Sequence, residues 1–313
     1  MATSPAVIEQ RRLGTDGPTV SFLGFGALEI GRDWGLGSQE QRRRCDEETA
    51  IAVVRRALDL GVTCIDTARA YHRSEERIGL ALDGRRDDVF LATKCGEHSD
   101  EPSTFYDFTR DGIRGSIEQS LTALRTDSVD LLQIHWGPAE HEDNLWRETV
   151  PEMQAARDAG KTRLLGASCP TGQIERCVKS GAFDVLQVSY HLLDRSAEAG
   201  IEAAAAAGIG ILVRDGLGAG RLTARVLGVL DEDAALAGRI RPLLDLLGAA
   251  EHGVEAAAGR LPALALAFLR RNPAVGSVLV GTKSVAHLEE DVAALADGVD
   301  ADLLDEAIRL TTP

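Results

Sequence analysis

Short runs of apolar and β-branched residues recur along this chain, separated by longer stretches in which apolar positions return every three or four residues. The short runs are SFLGFG (21–26), TCIDTA (63–68), VFLATK (89–94), DLLQIH (130–135), TRLLGAS (162–168), VLQVSY (185–190), GILVRD (210–215) and SVLVGT (277–282). Several do not alternate polar with apolar, as expected of strands buried on both faces. The stretches between them read as helices. Over 46–60, Ile51, Val54 and Leu58 share one face, and Gly61 follows where a helix closes on a left-handed residue. At 74–82, Ser74 reads as an N-cap, with Glu75 and Glu76 as first-turn acids ahead of Ile78 and Leu82. Further helices are expected over 110–124, 145–159, 173–179, 197–207, 261–271 and 285–295.

Strand and helix therefore alternate, the pattern of a parallel sheet with helical crossovers. Eight strand runs in 313 residues favour a single (β/α)8 TIM barrel over an open doubly wound sheet. No linker interrupts the alternation, so 1–313 reads as one domain, with about the first ten residues expected outside its ordered part. The opening RRLGTDGPTV holds Asp16-Gly17 between short extended pieces, a hairpin expected to plug the barrel's N-terminal end. The stretches 95–109 and 217–262 are too long for turns and are expected as long loops over the C-terminal face, the second containing helix of its own.

Composition narrows the partners. A net charge of −15 opposes any general nucleic-acid or anionic-membrane surface and leaves a small-molecule ligand. The five cysteines form no CxxC pair, and no run reaches the length of a membrane span or follows a basic signal-like start. A cytoplasmic protein with reduced thiols is expected, as a monomer or homo-oligomer. Aromatics are few (three Trp, three Tyr, seven Phe), so Ala, Leu and Val must build the barrel. On the strand assignment, Phe25, Trp34, Tyr71, Phe105, Tyr106, Phe108, Trp136, Trp146 and Tyr190 fall at or beyond strand C-terminal ends, where a barrel keeps its active site.

Four ionisable residues fall at that same face: Asp66 ending the second strand, Tyr71 just beyond it, Lys94 ending the third and His135 ending the fourth. Neighbouring strands lie about 4.8 Å apart, so these side chains are within mutual reach. An ammonium beside a phenol favours the phenolate and lowers its pKa, which suits a proton-transferring tyrosine. Asp66 would orient Lys94, and His135 would hydrogen-bond a substrate oxygen or the phenol. The first strand ends FGAL, without the paired histidines a metal-dependent barrel hydrolase would want, and no metal is expected.

With these residues in place, the chain resembles the aldo/keto reductase superfamily over about residues 11–295. CIDTARAYHRSEERIGLAL (64–82), VFLATK and SIEQSLTALRTDSVDLLQIHW (116–136) carry the likeness. It implies hydride transfer between a nicotinamide and a carbonyl carbon, with Tyr71 as the proton donor or acceptor. No Rossmann motif is needed: Gly24-Phe25-Gly26 and the glycines at 216, 218 and 220 lack its spacing and context.

By resemblance, Ser168 and Gln187 would hold the carboxamide, with Cys169 standing where the family usually has Asn and Arg214 at the ring-stacking position. Gly26 and Asp66 would line the cofactor site, and Leu217 and Gly218 would meet the pyrophosphate. GTKSVAHLEED would take the adenosine phosphate through Gly281, Thr282, Lys283, Ser284, His287 and Asp291, a strand-to-helix turn also suited to anions on physical grounds. Lys283 favours NADP over NAD in this reading. Trp34, Phe105 and Trp136, with Tyr71 and His135, would line a substrate pocket for a small aldehyde or ketone. The alternative implied by the same likeness is a nucleotide-binding regulatory subunit, as in potassium-channel β subunits, with little turnover.

Overall fold

The structure, a computed structural model, describes residues 8–312. The expectation for the chain's first residues falls mostly on 1–7, outside the described residues. Eight strands close into a parallel barrel: β1 Leu23–Gly26, β2 Cys64–Asp66, β3 Phe90–Cys95, β4 Val129–His135, β5 Thr162–Ser168, β6 Val185–Ser189, β7 Gly210–Arg214 and β8 Val275–Gly281. Each pairs with its chain neighbours, and β8 closes on β1 through Val278↔Leu23 to Gly281↔Gly26. The outer ring is α1 Glu47–Asp59, α2 Ser74–Ala81, α3 Arg110–Leu124, α4 Val150–Asp158, α5 Ile174–Ser180, α6 Glu198–Ala206, α7 Leu261–Arg271 and α8 Val285–Ala296. The expected (β/α)8 barrel is the fold.

Side chains alternate along each strand between two apolar regions. Cys64, Phe90, Ala92, Leu131, Val185, Leu212 and Leu279 fill the barrel's interior, while a larger cluster, including Ile65, Leu91, Leu132, Leu186 and Val213, packs strands against helices. One step further up the interior-facing positions the character changes to Asp66, Lys94, Gln133 and Gln187. An apolar floor therefore carries a polar layer at the C-terminal end.

The hairpin expected at the N-terminal end is present, Gln10–Arg12 pairing antiparallel with Thr19–Ser21. Its Leu13 enters the interior cluster and seals the barrel floor. Gly14, at φ 79°, allows the approach: a Cβ there would stand 2.6 Å from the Gly208 carbonyl oxygen. The loop 95–109 is a second antiparallel hairpin, Glu97–Asp100 with Ser103–Tyr106. The stretch 217–262 contains the helix Ala234–Leu246 and the short helices Ala249–His252 and Val254–Gly259.

Local expectations fared differently at α1 and α2. At α1 Asp46 caps by accepting from the Thr49 amide, and Gly61 at φ 90° follows its end. At α2 Ser74 is the first helical residue rather than the cap, and its Oγ donates to the Ala27 carbonyl while contacting Thr67 Oγ1 at 2.8 Å. The helix start is docked against the β1 and β2 ends, and a carbonyl there claims the hydroxyl. Glu75 is likewise buried rather than solvated, accepting from Thr93 Oγ1 at 2.6 Å.

Candidate active site

The barrel's register sets the polar layer. Gly26 pairs with Asp66, Lys94 with Gln133, and Ser168 with both His135 and Gln187. Lys94, fully buried, donates from Nζ to Asp66 Oδ2 at 2.5 Å, to the Thr67 carbonyl at 2.9 Å and to Tyr71 Oη at 3.2 Å. The other Asp66 oxygen accepts from Gln133 Nε2 and Gln187 Nε2, each at 2.8 Å. Every strong acceptor and donor in this layer is thereby matched, which a buried ion pair requires.

Tyr71 is held by backbone. It sits in a turn, its amide donating to the Ala68 carbonyl, and its own carbonyl accepts from the Ser74 amide. His72 beside it adopts φ 50° and contacts Ser99 Oγ at 2.7 Å through Nδ1, tying the turn to the 97–106 hairpin. The Tyr71 and His135 rings meet edge to face, centroids 5.8 Å apart.

Electrostatics here follow burial. Burial raises the Tyr71 pKa above the ordinary phenol value by more than Lys94 lowers it, so the downward shift expected from the ammonium alone is outweighed and the group is a phenol at neutral pH. Burial is the largest influence on Lys94 and opposes its charge, but Asp66 and Tyr71 together outweigh it and the ammonium's pKa lies above normal. Burial lowers the His135 pKa against the opposing pull of Glu97, so the imidazole is neutral at pH 7.

Two members of this site were not picked out from the sequence. Gln133 stands two residues before His135 on the same strand, so period-2 alternation and its polarity inside an apolar run are the available signals. Glu97 is the other. Its Oε2 lies 2.8 Å from His135 Nδ1, out of line for a hydrogen bond, and its Oε1 accepts from Thr104 Oγ1 at 2.6 Å. Burial raises the Glu97 pKa, but His135, Thr104 and Arg32 together hold it below the usual range. Nothing local marks CGEHSD as a hairpin reaching back over the strand ends.

A cavity of about 810 Å3 begins at Asp66, Tyr71 and His135 and extends across the barrel mouth to α8, a size suited to a small-molecule site. Of the residues expected to hold a cofactor, Gly26, Asp66, Ser168, Cys169, Gln187, Arg214, Leu217, Gly281, Thr282, His287 and Asp291 line it. Ser168 Oγ donates to Gln187 Oε1 at 3.3 Å, and Arg214 donates to Asp215 at 2.7 Å. Three expected residues lie off its wall. Gly218 turns at φ 62° and leaves the wall to Ala219 and Gly220; Ser284 caps α8 by accepting from the His287 amide; Lys283 donates to the carbonyls of Gln41 and Arg43.

Among the aromatics expected at the mouth, Trp34, Tyr71 and Trp136 line the cavity. Phe105 does not: it stacks on His98 on the outer face of the hairpin, half exposed. Phe25 and Tyr190 are buried outside the barrel wall, and Phe108 lies in the shallow spaces over Gly96 and Gly137, where a Cβ would clash with its ring. Strand-end position does not choose between the two faces of a strand, so it does not separate an aromatic at the mouth from one in the core.

The dinucleotide implied by the likeness can be tested against these walls. A long cavity with Ser168 and the amide side chain of Gln187 at the Tyr71 end, and the start of α8 at the other, fits an extended nucleotide.

The family model described as the aldo/keto reductase family matches residues 23–307. The L-galactose dehydrogenase of Arabidopsis thaliana is 31% identical, the alignment covering 98% of this chain and 95% of that protein. The oxidoreductase YqkF of Bacillus subtilis is 29% identical over 92% of this chain and 91% of its own length. The crystal structure of PA4992 of Pseudomonas aeruginosa superposes with a TM-score of 0.68 at 29% identity, covering 92% of this chain and 94% of that one. With a closed parallel barrel, a family match across most of the chain and oxidoreductase relatives over nearly its full length, the chain belongs to the aldo/keto reductase family.

Proposed function

We propose that this oxidoreductase interconverts the carbonyl and alcohol forms of a small molecule, with Tyr71 transferring the proton. A nicotinamide dinucleotide held along the cavity would supply or accept the hydride exchanged with the carbonyl carbon. Tyr71 gives its proton to the substrate oxygen on reduction and recovers one from solvent. Lys94 stabilises the phenolate left behind, and Asp66, anchored by Gln133 and Gln187, keeps the ammonium aimed at Tyr71 Oη. The imidazole of His135, kept neutral by burial and with Nδ1 2.8 Å from Glu97 Oε2, orients the substrate oxygen. Ser168, Gln187 and Arg214 would hold the nicotinamide end, and Trp34 and Trp136 would enclose the apolar part of the substrate.

The observation that carries this reading is the Tyr71 hydroxyl, 3.2 Å from Lys94 Nζ on the cavity wall. Relatives named as a dehydrogenase and an oxidoreductase support it. The preference for NADPH read from Lys283 loses its main support because that ammonium serves backbone carbonyls of 41 and 43. A panel of aldehydes, α-dicarbonyls, ketones and aldoses, assayed in both directions with each nucleotide, tests the function. Stoichiometric conversion of nucleotide and substrate is expected; nucleotide binding without conversion across the panel would favour a regulatory subunit instead.

A further inference from the structure

The far end of the cavity carries two carboxyl groups to which no described side chain donates a hydrogen bond. Asp291, on α8, is 9% exposed, faces the cavity and makes no hydrogen bond among the described residues. Glu29, in the helical turn Leu28–Gly31 that follows β1, faces it too. Its Oε2 is buried without a hydrogen-bond donor, the nearest cation, Arg225 Nη1, standing 3.7 Å away. Burial raises the pKa of both groups, that of Asp291 to about 7. A buried acceptor without a donor, such as Glu29 Oε2, is costly, and Asp291 opens onto the cavity, so both carboxyl groups are poised for a ligand that brings N–H or O–H groups.

Of the cations nearby, Lys283 is held by backbone carbonyls and Arg225 keeps Nη1 without a hydrogen bond. Lys283 donates to the carbonyls of Gln41 and Arg43 and ties the segment after Ser38 across this end. Arg225 lies between Glu29 and His287, its Nη2 3.2 Å from His287 Nδ1. A ribose or adenine offers hydroxyl and amino donors to carboxylates. A 2′-phosphate brings a charge of about −1.5 to −2 and acceptor oxygens, so it meets two carboxyl groups, with Arg225 and His287 on the same wall as the donors left to it.

From this we infer that Glu29 and Asp291 make the chain selective for NADH over NADPH, by accepting from hydroxyl or amino groups of the adenosine and repelling a 2′-phosphate. The inference rests on the reading of the cavity as a nicotinamide dinucleotide site. It concerns residues remote from Tyr71 and is decided by binding alone.

The test is titration of the wild-type chain and of Asp291→Asn, Glu29→Gln and Lys283→Ala with NADH and with NADPH, followed by quenching of tryptophan emission and by calorimetry. Trp34 and Trp136 line the cavity and report binding directly. Melting curves of each variant confirm that it is folded. The wild type is expected to bind NADH at least about ten-fold more tightly than NADPH. Asp291→Asn and Glu29→Gln are each expected to narrow that ratio several-fold through a gain in NADPH affinity, and Lys283→Ala to leave the ratio unchanged. Tighter binding of NADPH by the wild type, or a selective loss of NADPH affinity in Lys283→Ala, would overturn the inference while leaving the oxidoreductase reading intact. Failure of both nucleotides to bind would instead overturn the dinucleotide reading on which it rests.

Discussion

Tyr71 keeps its proton more firmly than a tyrosine in water, because its burial outweighs the opposing pull of the Lys94 ammonium. A raised pKa means that the acid form persists through the neutral range and is lost only at alkaline pH. Carbonyl reduction should therefore hold a plateau from about pH 6 to 9 and fall only above about pH 10, whereas alcohol oxidation should rise over the same alkaline interval. Initial rates at saturating nucleotide against pH check this; a reduction rate that falls by half near pH 7 would remove Tyr71 from the acid role. At this scale the sequence displayed Asp66, Tyr71, Lys94 and His135 by strand position. It did not display Glu97, whose contact with His135 depends on a hairpin folding back, nor the engagement of Lys283, which depends on a segment some 240 residues away in the chain.

The turn after β2 and the helical turn after β1 meet at one glycine. A Cβ on Gly31 would stand 2.1 Å from the Tyr71 carbonyl oxygen and 2.5 Å from Ser74 Cβ, so Gly31→Ala must displace the segment carrying the tyrosine. Turnover should fall about 100-fold, the cost of roughly 1 Å of misplacement, with the circular-dichroism spectrum retained. Unchanged turnover would show that the turn tolerates the shift. The opposite separation is expected at the floor. Leu13→Ala opens a cavity under the barrel and should cost about 3 kcal/mol of stability, read by denaturant unfolding, while nucleotide affinity is unaffected. Barrel strands were legible to within two residues at either end, since a doubly buried strand reads as an apolar run whatever surrounds it. The start of α2 was less so: Ser74 has the composition of a cap, but a tertiary partner, the Ala27 carbonyl, takes its hydroxyl.

Over the whole molecule, stability and chemistry occupy opposite ends of one barrel. The N-terminal end is sealed by a hairpin and aliphatic side chains, and the C-terminal end gathers the buried polar layer, the cavity and the long loops. The low aromatic content is consistent with this division, although Trp34, Tyr71 and Trp136, rather than every aromatic near a strand end, are the ones that reach the cavity. An acidic surface with a net charge of −15 does not prevent an anionic ligand from binding at the mouth, where Arg32, Arg214 and Arg225 also line the wall. The account turns on proton transfer by Tyr71. Its most direct test compares the wild type with Tyr71→Phe, measuring nucleotide affinity and turnover of a substrate found by the panel on the same preparations. Nucleotide affinity within about two-fold of the wild type and a loss of turnover of about 10² to 10⁴ are predicted; turnover equal to that of the wild type would contradict the central claim.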